Sequence, residues 1–212
     1  MVYLFDPHYW NGTIFRVDDF EMSDKDDEGY GWLGYLATNR PIPASWFPQS
    51  VTVQEATGEL PDMFHTYRKL IVFSGRARAA MEQRAPGQVE FVRVIFDAPP
   101  RVAERAKLDS AYYFVNVLGR AQRLQWLEIP TETVALEGVV RARTLPLGVT
   151  GVEMQAWKLR GRAVGEPSIW YETPVEIDGL RYVAGSPVFI DDDLWQDLDS
   201  EFPGQLNAQR VG

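Results

Sequence analysis

Six residues, Gly29-Tyr30-Gly31-Trp32-Leu33-Gly34, carry the G-x-G-x-x-G spacing that cradles a pyrophosphate when it lies between a strand and a helix N-terminus. Their setting argues against that use. The acidic stretch from Asp18 to Glu28 precedes them and would repel phosphate, and Pro41, Pro43 and Pro48 follow where a helix should run. No cofactor is expected. Asp24, Asp26 and Glu28 with Gly29 match the first half of a calcium loop, with oxygens at positions 1, 3 and 5 and the turn glycine at 6. Position 12, which should supply a bidentate carboxylate, is Tyr35. A solvated acidic loop fits better, and no metal is expected. Asp191, Asp192 and Asp193 diverge if they open a helix, where the helix dipole stabilises carboxylates; they read as a capping group. His8 and His65 lie in no H-E-x-x-H pattern, and there is no G-x-S-x-G elbow and no cysteine. The carboxylates are too numerous for spacing to nominate an acid–base pair. No catalytic residue is assigned.

The elements that would position such groups are clearest in the middle of the chain. Leu70–Phe73 is a short apolar run of β-formers, and Ser74 can accept a hydrogen bond from the first turn of a helix built on Ala77, Ala79, Ala80, Met81 and Glu82. Pro86-Gly87 stops that helix, and Val89–Phe96 and Ala111–Gly119 read as strands. A short helix is expected around Val102–Lys107, and another from Pro61-Asp62 to His65. Val2–Phe5 and Thr13–Val17 read as a hairpin turned at Asn11-Gly12, and Val51–Gln54 as a strand. Arg123–Ile129, Val139–Arg143, Val152–Arg160 and Ser168–Ile177 alternate partly between apolar and polar residues, and Arg181–Ala184 and Val188–Ile190 are short apolar segments. Asp191 would cap a terminal helix with Leu194, Trp195 and Leu198 on one face. The predicted class is α+β, mostly antiparallel strands with a few short helices. The prolines of residues 39–50 suggest a junction between an acidic, β-rich region, 1–60, and an α+β region, 61–212.

The chain has 212 residues, with 7 Trp, 9 Tyr and 11 Phe, ample for a packed core. Without cysteine, disulfides and thiolate metal sites are excluded. No apolar run is long enough for a membrane span and the N-terminus has no secretory pattern, so the expected compartment is the cytoplasm. The net charge of −9 is unevenly spread: −7 over residues 1–60, +3 over 61–110, zero over 111–186 and −5 over 187–212. Acidic chain ends disfavour nucleic acid and favour a basic partner.

The strand and capped helix at Leu70–Ser74, the strand Val89–Phe96, the strand AYYFVNVLG and the segment Val188-Phe189-Ile190-Asp191-Asp192-Asp193-Leu194-Trp195 follow one another in the order found in immunity proteins of bacterial polymorphic toxin systems. Over residues 60 to 210 the chain resembles that family. The resemblance implies a protein without catalytic activity that binds a cognate toxin and protects the producing cell. Many such toxins are nucleases with basic grooves, which an acidic inhibitor can occupy as a phosphate mimic. On the residues alone, the contact surface is expected at Asp24, Asp26, Asp27 and Glu28 with Tyr30 and Trp32, where a charged rim meets aromatic anchors. Asp191, Asp192 and Asp193 are the secondary candidates. Two other readings stay open: a small enzyme using carboxylates in a cleft, and a calcium-dependent or adaptor-type binding module.

Overall fold

The computed structural model describes residues 1–8, 13–16, 42–48, 50–66, 70–128, 131–133, 139–142, 156–184 and 187–212. The first strands are β1 (Val2–Leu4), β2 (Thr13–Arg16), β3 (Ser50–Ala56) and β4 (Met63–His65). The central unit is β5 (Ile71–Ser74), α1 (Gly75–Arg84), β6 (Val89–Asp97), α2 (Pro100–Ala106) and β7 (Tyr112–Val117). Ser74 caps α1 as its type predicts, its Oγ accepting from the Ala77 amide at 3.2 Å. Ala77, Ala80 and Met81, at helical spacing, form the buried face of α1. Paired prolines open α2, and Lys107 ends it in the left-handed conformation.

The second half adds β8 (Arg120–Ala121), β9 (Thr131–Thr133), β10 (Val139–Ala142), β11 (Ile169–Glu172), β12 (Val175–Ile177) and β13 (Leu180–Val183). It closes with β14 (Val188–Asp191), α3 (Asp192–Glu201) and β15 (Arg210–Val211). Three sheets result, in the orders β2-β3-β6-β7-β5-β4, β15-β1-β14-β11-β8 and β12-β13-β10-β9. The pairs β3–β6, β8–β11 and β10–β13 are parallel and the other described pairs antiparallel, so the fold is α+β with mostly antiparallel strands.

The core is layered. Phe73, Val115 and Val117 of the six-stranded sheet face Ile169, Val188 and Ile190 of the five-stranded sheet, with α1 and α3 closing that space through Met81, Leu194 and Leu198. On the opposite face of the six-stranded sheet, Val51, Val53, Val72, Val94 and Phe114 pack together with Ala106 of α2 and with Ile42 and Phe47. Beyond the five-stranded sheet, Trp157, Trp170 and Phe189 pack with Trp126 and Tyr182. Burial on both faces explains why β7 reads as a near-continuous apolar run, whereas β6 leaves Arg93 and Ile95 exposed.

Five local expectations are overturned in whole or in part. β1 and β2 do not form a hairpin: β1 pairs with β14 and β15, and β2 with β3. The turn signal at Asn11-Gly12 is local, whereas the apolar side chains of β1 are buried between strands from the chain's other end. Residues 63–65 form a strand, not a helix, because Met63 and Phe64 each bury on a different side of the sheet beside β5. Of Arg123–Ile129, the described residues 123–128 form no strand: Leu124 makes an isolated bridge to Leu159, and Trp126–Glu128 is a 3₁₀ turn that buries Trp126. The segment Ser168–Ile177 divides into β11 and β12 at Thr173-Pro174, where proline lacks a ladder donor. Of Val152–Arg160, residues 152–155 lie outside the described set; Trp157 is buried and Leu159 partly buried against its cluster without forming a strand.

The division near residue 60 is crossed by backbone pairing in two sheets, β1 to β14 and β15, and β3 to β6. Within the proline-rich segment, Ile42 and Phe47 are buried, and Asn116 donates to the Ile42 carbonyl at 2.7 Å.

Candidate interaction surface and the charges beneath it

The first-choice contact residues, Asp24, Asp26, Asp27, Glu28, Tyr30 and Trp32, lie outside the described residues, as do the glycine triplet and the half calcium loop. The secondary candidates are described, and the structure separates them. Asp191 has the extended backbone of a helix cap, yet its side chain accepts no bond from the helix. Its two oxygens are taken by Arg123 at 2.8 Å and Arg162 at 3.1 Å. Asp191 holds the cap position, with Asp192 and Asp193 in the first turn as expected, but its side-chain capping bond is absent for an electrostatic reason. The Arg123 side chain is only 3% exposed and needs a counter-charge, and a charge-assisted bond outcompetes one to a neutral amide. Asp192 is half-buried and accepts from Gln196 at 2.8 Å, while Asp193 is exposed. Asp193 and, in part, Asp192 remain presentable to a partner; Asp191 does not.

Arg123 organises a buried network that the sequence reading missed. Its guanidinium carbon lies 4.1 Å from the Trp170 ring centroid, and its Nε donates to the Arg160 carbonyl at 3.4 Å. Arg160 in turn is paired with Glu166. Beside them Glu172, a buried carboxylate on β11, accepts from the backbone amides of Arg123 and, at 2.8 Å, Leu124, and from the Trp170 indole at 3.0 Å. Burial pushes the Glu172 carboxyl above its ordinary range, against the pull of these donors. A raised carboxyl is what acid–base catalysis requires. Here, however, both oxygens are engaged by protein donors, so the group staples the segment after β8 to β11.

The histidines meet through the backbone: the His65 amide donates to the His8 carbonyl at 3.3 Å. His65 Nδ1 is 3.0 Å from the Thr66 carbonyl and Nε2 is 4.0 Å from Asp6, while His8 is exposed. Among the described residues, no group of three or more His, Asp or Glu side chains is arranged to hold a metal. No described helix is long and apolar enough to cross a membrane.

A second surface, also missed from sequence, gathers Arg78 of α1, Phe91 and Arg93 of β6, and Tyr113 of β7. Arg93 and Tyr113 are direct cross-strand partners. The only early signal was the alternation in VEFVRVIF, which places Phe91, Arg93 and Ile95 on one face. No family model and no curated protein matches the chain.

Proposed function

We propose that the chain is an immunity protein that binds and neutralises a cognate bacterial toxin by occluding its active site or substrate path. The observation that carries this reading is the joint packing of the segments that resemble the immunity family. The capped helix α1, strands β5 and β7, and the β14–α3 unit contribute Phe73, Met81, Val115, Val117, Ile190, Leu194 and Leu198 to one core cluster. Segments separated by about a hundred residues in the sequence thus act as one unit, which is what a shared scaffold requires.

The partner we infer is a basic protein toxin, a nuclease-type effector, met in the cytoplasm. Acidic chain ends steer such a partner by long-range attraction, and carboxylates placed in its groove substitute for phosphates. Asp24, Asp26, Asp27, Glu28, Tyr30 and Trp32 are the proposed contact residues. The test is co-expression with a candidate toxin taken from a toxin-like gene found next to this one. Cells producing the toxin alone should stop growing and cells producing both should grow; growth arrest despite full expression of this chain would refute the proposal.

A further inference from the structure

The face of β6 that carries Val89, Phe91, Arg93 and Ile95 starts beneath α1 and runs out from under it. Val89 and Phe91 pack against the core cluster, Arg93 is exposed, and Ile95 is 63% exposed. Two guanidiniums converge on one phenol ring at that margin. The Arg78 and Arg93 carbons lie 4.6 and 5.5 Å from the Tyr113 centroid. Phe91 meets the same ring edge-on at 6.4 Å, with Arg78 5.6 Å from Phe91. Tyr113 is therefore held before any partner arrives, and ordering a rigid aromatic costs little entropy on binding.

The cluster carries excess positive charge in a chain whose net charge is −9. Glu82 compensates Arg78 at 2.9 Å, but no carboxylate among the described residues is paired with Arg93. Arg93, with Arg78 assisting, also holds the Tyr113 phenol below its ordinary range, as expected where the local field favours an anion. Arginine and tyrosine beside exposed apolar area is the composition enriched at protein interfaces.

We propose that Arg78, Arg93 and Tyr113, flanked by Phe91 and Ile95, form a docking surface for a protein segment that presents carboxylates beside an apolar side chain. The carboxylates match the Arg93 guanidinium, which no carboxylate among the described residues pairs, and the apolar side chain covers Phe91 and Ile95, which a small inorganic anion would leave in water. The inference goes beyond the immunity reading and does not depend on it, since the occupant is defined by its chemistry.

The experiment is a titration of ¹⁵N-labelled protein with a capped Glu-Glu-Leu-Glu-Glu peptide at low salt, following backbone amides and arginine Nε–H signals. Inorganic phosphate is titrated in parallel. Saturable shifts should centre on Arg78, Arg93 and Tyr113. Arg93→Glu should weaken peptide binding about fivefold or more, Arg93→Gln by less, and Arg210→Glu, on the edge of another sheet, should leave it unchanged. Circular dichroism of each variant confirms that the fold is kept. Absence of saturable shifts would overturn the proposal, as would equal weakening by Arg93→Glu and Arg210→Glu. Phosphate binding the same residues at least as tightly would make this a small-anion site instead. Self-association lost in Arg93→Glu would make a second copy of the chain the occupant.

Discussion

Replacing Asp191 with alanine removes the counter-charge of a guanidinium that the fold has taken almost entirely out of water. The Arg123 side chain is 3% exposed and that of Asp191 12%. Breaking such a pair by deleting one partner costs about 3–5 kcal/mol, because the remaining charge stays buried and unpaired. Arg123 keeps its contact with the Trp170 ring and its bond to the Arg160 carbonyl, which places the cost near the low end, about 3 kcal/mol. The second arm, to Arg162, contributes little: that side chain is 45% exposed, and such pairs are worth about 0.5 kcal/mol. In urea the midpoint of Asp191→Ala should fall by about 1 M or more with an unchanged slope, and the melting temperature by about 6–12 °C. Arg162→Ala should change stability by less than about 0.5 kcal/mol. The paired replacement Arg123→Met with Asp191→Leu should recover most of the loss, since apolar side chains pay no desolvation penalty there. A cost below about 0.5 kcal/mol for Asp191→Ala, or an equal cost for Arg162→Ala, would refute the reasoning.

Three further outcomes follow from other sites. Arg160 and the Ala163 amide hold the Glu166 carboxyl down to about 2, so its stabilising contribution is present above the ordinary carboxylate range and lost as pH falls toward that value. Glu166→Gln should therefore flatten the acid limb of the stability curve, modestly because Arg160 is partly exposed, with no change near neutral pH beyond that lost pair. A Cβ at Gly119 would lie 1.9 Å from the Ile169 carbonyl oxygen, so Gly119→Ala should cost about 3 kcal/mol or more in chemical denaturation. Trp195, expected on the apolar face of the terminal helix with Leu194 and Leu198, is half-buried and stacks on Tyr3 at 4.5 Å; Trp195→Ala should cost about 2 kcal/mol, measured in the same way.

What could be read in advance was what neighbouring residues decide. Ser74 and the alanines after it specify α1 within a dozen positions; the short helix expected around Val102–Lys107 is also present, but starts earlier, at Pro100. The apolar stripe of α3 announced Leu194 and Leu198 as core. Pairing partners were not legible. Nothing near Val2–Leu4 says that its neighbours are Val188–Asp191 and Arg210–Val211, so a local turn signal suggested the wrong hairpin. The charges failed for the same reason. Asp191 looked like a cap because its partner Arg123 is 68 positions away, and a buried arginine has no signature in a sequence. Arg78, Arg93 and Tyr113 belong to three elements: the register of β6 against β7 sets Arg93 beside Tyr113, and α1 brings Arg78 over the same ring.

The most direct test of the immunity reading is to titrate a purified candidate toxin, taken from any toxin-like gene found next to this one, with the purified protein while following the toxin's own activity. The account predicts a linear fall to zero at one equivalent. It also predicts that changing Asp24, Asp26 and Asp27 to Asn and Glu28 to Gln slows capture by about 10-fold at low salt and flattens the salt dependence, with folding intact. Toxin activity unchanged at several equivalents of the wild-type protein would contradict the central claim; full inhibition with the quadruple variant as fast as wild type at every ionic strength would move the contact elsewhere on the molecule.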